Sequence, residues 1–341
     1  MIDNPKDPSN LRQMLLDSPE QFKVGFETAK DIHVDGEFTS ITISGMGGSA
    51  LPGNLLRIYL SDLFKRNTNV RRLEVFQNRY YSLPHEAFDK SLNFIMSYSG
   101  NTEETIESFE EALKNKLPCV GVASGGKIEE MCKENNIPFI KLPIPFENFQ
   151  PRLGTGYFFG AMIQTLINHN LIPDTKNEIL EAAAKLKENI AQFEAKGKEL
   201  AEKINGKTPV IYTSTRFKPV AMIWKIMINE NGKTPAFWNF FPELNHNEAN
   251  GFVSPQGNFI AVMLRDPEDH PRNYKRFEVT AAILKEYGTD SIILDYSEGT
   301  IFYKMFSSLL TGGFNSYYLA LGYGNDPTPV ELVEKFKKLL A

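Results

Sequence analysis

Residues Ser40 to Ala50 read SITISGMGGSA. The β-branched opening predicts a strand over Ser40–Ser44. Glycines follow at Gly45, Gly47 and Gly48, and Ser49–Leu60 then predicts a helix. A strand, a glycine turn and a helix in that order open a crossover unit of a parallel sheet. Such a turn lets a ligand approach the main chain, and the helix N-terminus offers N–H groups to an anion. A dinucleotide site would also need an acidic residue at the end of the second strand, about 20 residues on. The second strand here ends at Gln77 and Asn78, and position 65 is a lysine. A nicotinamide cofactor is therefore set aside.

Outward from this turn the alternation continues. Leu73–Phe76, Leu92–Tyr98, Val120–Ala123 and Phe139–Leu142 read as strands, with helices at Glu103–Asn115 and Lys127–Asn135. Three strands are short apolar runs, which places them under cover on both faces. Three prolines between Leu142 and Gly156 interrupt the pattern, and a helical stretch follows at Tyr157–Asn168 and Glu178–Lys203. The alternation restarts with strands at Val210–Thr213, Phe259–Leu264 and Ser291–Leu294. Helices are predicted at Pro219–Glu230, Arg272–Tyr287 and Ile301–Leu321, and Pro329 opens a last amphipathic one. The chain thus divides into an N-terminal helical segment (1–38), a first α/β unit (39–152), a helical linker (153–205), a second α/β unit (206–325) and a C-terminal helix (326–341).

Composition bounds the function classes. At 341 residues the chain is long enough for two domains. Its 42% hydrophobic and 23% charged content is that of a globular protein. A net charge of -5 argues against general nucleic-acid binding. Two cysteines, Cys119 and Cys132, point to a reducing compartment rather than a disulfide scaffold. No apolar run reaches the length of a membrane span, and MIDNPKDPSN is no signal sequence. The expectation is a cytoplasmic protein.

Four further stretches carry candidate chemistry. SYSGNTEET, Ser97–Thr105, follows a strand and opens a helix. Its hydroxyls at Ser97, Ser99, Thr102 and Thr105 make a neutral cradle for phosphate, although one such hydroxyl would also cap a helix. Arg152, in QPRLGTG, offers a cation to a developing oxyanion. Glu230 ends a helix, where the dipole disfavours a carboxylate, and His246 follows in a loop dense in Asn and Glu. A carboxylate and a histidine are a standard pair for moving protons on a sugar. His246 with Glu248 has no third ligand at metal spacing, so no metal is expected. Lys337 lies in the final helix, beside an apolar stripe of Val330, Val333, Phe336 and Leu340.

The motifs ISGMGGSALPG, SYSGNTEET, PRLGTGY, NENGK and PELNHNE together resemble the bifunctional phosphoglucose/phosphomannose isomerases, from about Thr39 to Leu340. The resemblance implies two sugar-isomerase (SIS) units, each a mainly parallel sheet between helix layers in an α/β/α sandwich. It implies an aldose–ketose isomerase acting on hexose 6-phosphates through a cis-enediol, without cofactor. Ser97, Ser99 and Thr102 would hold the 6-phosphate, and Gly47, Gly48 and Ser49 would line the sugar. Glu230 would move the proton between C2 and C1, and Arg152 would stabilise the enediolate. His246, reaching from the partner of a homodimer, and Lys337 would serve ring opening. One departure concerns a family hydroxyl seven residues before that lysine, associated with mannose 6-phosphate. Position 330 is valine, and Thr328 lies two residues earlier. A non-catalytic sugar-phosphate sensor would keep the hydroxyl loop without Glu230 or His246, but residues 1–38 are too short and acidic for the DNA-binding helices such sensors carry. An amino-sugar-phosphate isomerase would differ only in substrate.

Overall fold

In the computed structural model, which describes residues 5–147 and 149–340, the hydroxyl-rich and glycine-rich loops both stand at the C-terminal ends of parallel strands. Residues 1–4 and 341 of the expected terminal segments lie outside the described residues. The elements run α1 (Leu11–Asp17), α2 (Gln21–Thr28), β1 (Ser40–Ser44), α3 (Gly47–Arg66), β2 (Glu74–Asn78), β3 (Ser91–Met96), α4 (Glu103–Lys114), β4 (Cys119–Ala123), α5 (Gly126–Asn135), β5 (Phe139–Lys141) and α6 (Thr155–Asn168). They continue with α7 (Lys176–Glu188), α8 (Ile190–Ile204), β6 (Thr208–Ser214), α9 (Lys218–Glu230), β7 (Phe237–Phe241), β8 (Phe259–Arg265), α10 (Pro271–Glu286), β9 (Asp290–Asp295), α11 (Ile301–Gly322) and α12 (Glu331–Leu340).

The chain forms two compact units, Asp17–Lys185, and Met1–Leu16 together with Leu186–Ala341. The division falls within α7, so the helical stretch 153–205 contributes to both units. In the Asp17–Lys185 unit five strands pair in the order β2-β1-β3-β4-β5, all parallel. Every residue of β1, β3 and β4 is buried, as expected for inner strands covered by helices on both faces. Ile41, Ile43, Leu92, Phe94, Val120 and Val122 fill the space beneath those helices. Cys119 and Cys132 are free thiols in this core, and burial pushes both up to about 12. Nearly all of α6 is apolar because it is buried almost throughout.

The other unit pairs four parallel strands in the order β7-β6-β8-β9. That order repeats β2-β1-β3-β4, with β6 in the place of β1 and β8 in the place of β3. The duplication is thus one of topology. Its longest helix, α11, is buried along most of its length. Trp224 of α9 packs on it and donates from its indole nitrogen to Ser308 Oγ at 3.1 Å.

Most element ends shift by one to three residues from the sequence reading, and some differences are larger or concern the site. β7 is not among the expected strands: its run FWNFF, between Pro235 and Pro242, shows no clean alternation and no β-branched residue. The stretch Glu178–Lys203 is two helices, interrupted at Asn189. Helix α3 begins at Gly47 rather than Ser49, and α12 begins at Glu331 rather than Pro329. Among the described residues no helix is long and apolar enough to cross a membrane.

Candidate functional site

The hydroxyl loop is built by β3 ending at Met96 and α4 starting at Glu103. Thr102 occupies the N-cap position of α4, but its side chain makes no capping bond. Instead its hydroxyl meets Ser97 Oγ at 2.8 Å. Ser97 Oγ also accepts from Gly100 N at 3.1 Å, and Ser99 Oγ accepts from Asn101 N at 3.3 Å. Ser97 is buried, whereas Ser99 is exposed. Ser97 Oγ also lies 3.5 Å from Ser99 Oγ, so the hydroxyls cluster on Ser97 instead of closing a helix end. Gly100 has φ +74°, and a Cβ there would collide with the Gly125 carbonyl at 1.8 Å. Only glycine lets the loop lie this close to the start of α5. Asn101 Oδ1 accepts from Lys127 N at 2.9 Å, and Ser124 Oγ donates to Tyr98 O at 2.6 Å, so the loop is tied on both sides.

The glycine turn joins this loop directly. Ser49 Oγ accepts from Tyr98 N at 2.9 Å, which couples the first turn of α3 to the residue after Ser97. Arg152 lies in the short helical turn Pro151–Leu153 and is 3% exposed. Its Nη1 donates to Gln150 Oε1 at 3.1 Å. The main chain of Arg152 packs on Gly48. Gly47, Gly48, Ser49, Ser97, Ser99, Thr102 and Arg152 thus belong to one connected framework within the Asp17–Lys185 unit. The guanidinium brings a positive charge and a planar set of donors to this framework, which suits an anion.

The matching loop of the other unit carries ion pairs in place of hydroxyls. After β8, Asp266 is buried and accepts from Arg216 Nη1 at 2.6 Å and from Lys304 Nζ at 3.0 Å. Lys304 is itself almost wholly buried and also pairs with Glu268 at 2.9 Å. Lys304 holds the Glu268 carboxyl below the usual range. The two cations are matched by two carboxylates within the unit.

Glu230, half-buried, is the last residue of α9. It lines a groove of about 580 Å³ with Asn229, Lys233, Pro329 and Val330. The unfavourable end of the helix is relieved by Lys233, whose Nζ donates to the Glu230 carbonyl. Neighbouring Asn231 is buried and donates to Ser316 Oγ at 3.0 Å.

His246 ends a short helical turn after the cis Phe241–Pro242 bond and is exposed. The Asn- and Glu-rich loop around it anchors the histidine. Asn245 bonds Thr280 Oγ1 and Arg276 of α10 at 2.9 and 3.0 Å. Glu248 accepts from the buried Tyr212 hydroxyl at 2.6 Å and from Asn239 Nδ2. Burial and the Glu248 carboxylate raise the Tyr212 phenol far above its ordinary value, so it stays a donor. Glu243 accepts from Asn247 Nδ2 at 2.9 Å. The His246 ring itself bonds no described residue. Among the described residues no group of three His, Cys, Asp or Glu side chains is placed to hold a metal ion.

Lys337 stands in solvent on α12 and pairs with Glu334 at 2.7 Å. No residue of α12 is buried, and its stripe of Leu332, Val333, Phe336, Leu339 and Leu340 is exposed. Thr328 is buried, and the lysine seven residues after it is Lys335.

Three features lay outside the sequence reading: the packing of Gly48 on Arg152, the Ser49–Tyr98 bond, and the anchoring of the histidine loop by Tyr212 and Glu248. Each joins residues far apart in sequence, and no local pattern announces it.

The chain is similar to known proteins over most of its length. Residues 193–340 match the family model described as "Bacterial phospho-glucose isomerase C-terminal SIS domain". The C-terminal domain of glucosamine-fructose-6-phosphate aminotransferase from Francisella tularensis shares the fold, with a TM-score of 0.69 at 16% identity, over 93% of this chain and 97% of that one. The D-glucosamine-6-phosphate 4-epimerase of Sulfolobus acidocaldarius is 29% identical, over 78% of this chain and 79% of the relative. The bifunctional phosphoglucose/phosphomannose isomerase of Caldicellulosiruptor bescii is 36% identical, over 95% of this chain and 96% of the relative. With that identity sustained over nearly both full lengths, the chain belongs to the bifunctional phosphoglucose/phosphomannose isomerase family.

Proposed function

We propose that this protein interconverts fructose 6-phosphate with glucose 6-phosphate and mannose 6-phosphate through a cis-enediol. Family membership supports the reaction class. The observation that carries the substrate class is the hydroxyl pair of Ser97 and Thr102, set at a helix N-terminus without capping it. Hydroxyls and N–H groups there suit a phosphate oxygen array, and the phosphate supplies binding energy remote from the reacting carbons.

In this reading Ser97, Ser99 and Thr102 hold the 6-phosphate, and Gly47, Gly48 and Ser49 line the sugar. His246 and Lys337 assist opening of the ring, moving a proton at the ring oxygen. The Glu230 carboxylate takes the C2 proton of the open aldose. The C2–H electron pair forms the C1–C2 double bond, and the carbonyl pair moves to O1, giving the enediolate. Arg152 stabilises that negative charge. The O2 proton passes to O1, and Glu230 then delivers its proton to C1 as the O2 electron pair forms the ketose carbonyl at C2. The enediol has lost the configuration at C2, so glucose 6-phosphate and mannose 6-phosphate share it.

The exposed His246 ring, on a loop whose other polar groups are anchored, supports its donation to a partner subunit in a homodimer. The free buried thiols support a reducing, cytoplasmic setting.

The test is a coupled assay of the purified chain with fructose 6-phosphate, scoring both aldose products. Glucosamine 6-phosphate runs beside it, because one relative is named for that substrate. Formation of glucose 6-phosphate and mannose 6-phosphate supports the proposal. Turnover of glucosamine 6-phosphate alone overturns it.

A further inference from the structure

Lys233 has a φ of +57°, in the left-handed region that a Cβ disfavours. It follows Asn231 and Gly232 in the turn that leaves α9, a place where glycine or asparagine is the ordinary choice. Its side chain explains the exception. Nζ donates to three main-chain carbonyls, those of Glu230, of Pro327 at 3.3 Å and of Pro329. An ammonium carries three protons, and here each meets an oxygen. One oxygen ends the helix that carries Glu230. The other two belong to the segment that leads into α12. Asn229, Glu230, Lys233, Pro329 and Val330 line the same groove.

A backbone held in a sparsely populated conformation persists where the surroundings over-determine it, and it points to function. A flexible lysine on an ordinary turn would extend into water, where its charge is best solvated. This one is partly buried against carbonyls from two stretches of chain. We propose that Lys233 is a positioning residue. It clasps the Pro327–Pro329 segment to the end of α9 and so walls the groove at Glu230 and sets where α12 departs. An arginine could not replace it fully, because its flat fork does not present three donors as a tripod. The catalytic consequence rests on the reading of Glu230 as the base; the clasp itself does not.

The experiment compares the full-length protein with Lys233→Met, Lys233→Gly and Lys233→Arg. The glycine variant relieves the backbone strain while removing the ammonium, so it stays informative if the methionine variant folds poorly. Hydrogen exchange is followed at the amides of Thr328 and Val330–Glu334, and kcat and KM are measured with fructose 6-phosphate. Loss of the clasp should speed exchange there at least about tenfold, as for a local opening made easier. In the same variants kcat should fall about tenfold to a hundredfold with KM within about twofold, the signature of a misplaced catalytic group. Lys233→Arg should recover part of both. Glu230→Gln, run in parallel, should lose kcat without altering exchange. Unchanged exchange in both the methionine and glycine variants overturns the clasp, whatever the activity. Faster exchange with unchanged kcat overturns its positioning role. An active Glu230→Gln removes the base assignment and leaves the clasp standing on the exchange data.

Discussion

Gly48 and Arg152 meet through their main chains: a Cβ on Gly48 would stand 2.4 Å from the Arg152 nitrogen and 2.6 Å from its Cα. No real Cβ sits that close to backbone atoms, so the pair can coexist only with glycine at 48. The contact presses the loop that carries the buried guanidinium against the first turn of α3. It ties the position of a cation to the absence of a side chain.

Gly48→Ala should therefore displace Arg152. Over-packing of this kind costs about 1–3 kcal/mol of stability. A shift of about 1 Å in the guanidinium should lower kcat up to about a hundredfold. Thermal unfolding and steady-state kinetics on the same preparation check both. A variant with wild-type kcat would show that the placement of Arg152 does not matter to turnover.

The hydroxyl pair at Ser97 and Thr102 makes a separate prediction. Ser97→Ala with Thr102→Val removes both hydroxyls at 2.8 Å while keeping the volume at 102. A hydrogen bond to a charged group is worth about 1.5–3 kcal/mol, so each lost contact should raise KM at least about tenfold. Ser97 also accepts from Gly100 N, so a loss of about 1 kcal/mol in stability accompanies it. An unaltered KM in the folded double variant would remove this loop from phosphate binding.

The exposed His246 predicts complementation. Glu230→Gln and His246→Ala should each be inactive alone. Mixed under conditions of subunit exchange, they should regain part of the wild-type activity, because one of the two sites in a mixed dimer has both residues intact. Confirmed exchange without recovery would place His246 in its own chain's chemistry or outside the reaction.

Much of this was legible in the sequence, for identifiable reasons. β1 and α3 announce themselves because a β-branched run, three glycines and an apolar helix follow one another within a few residues. The buried inner strands read as apolar runs because helices cover both of their faces. β7 was missed because its aromatic residues sit at a sheet edge, where Phe237 is exposed and the pattern is neither a buried run nor a clean alternation. The break at Asn189 carries no glycine or proline to mark it. The candidate residues were found by type, but their framework was not. Gly48 meeting Arg152, Tyr212 holding Glu248 and Lys233 reaching Pro327 are products of tertiary packing, which no local spacing encodes.

Isotope exchange at C2 reads whether the Glu230 carboxylate carries the substrate proton. Wild-type protein turning over glucose 6-phosphate in deuterium oxide should place deuterium at C2, because an enediol base exchanges its proton with solvent. Glu230→Gln keeps the shape of the side chain and removes the proton acceptor. Exchange and kcat should fall together by about 10² to 10⁴-fold, the usual contribution of a general base. KM should stay nearly unchanged, because the phosphate contacts are intact. A folded Glu230→Gln protein that binds substrate and still exchanges the C2 hydrogen at the wild-type rate would contradict the account.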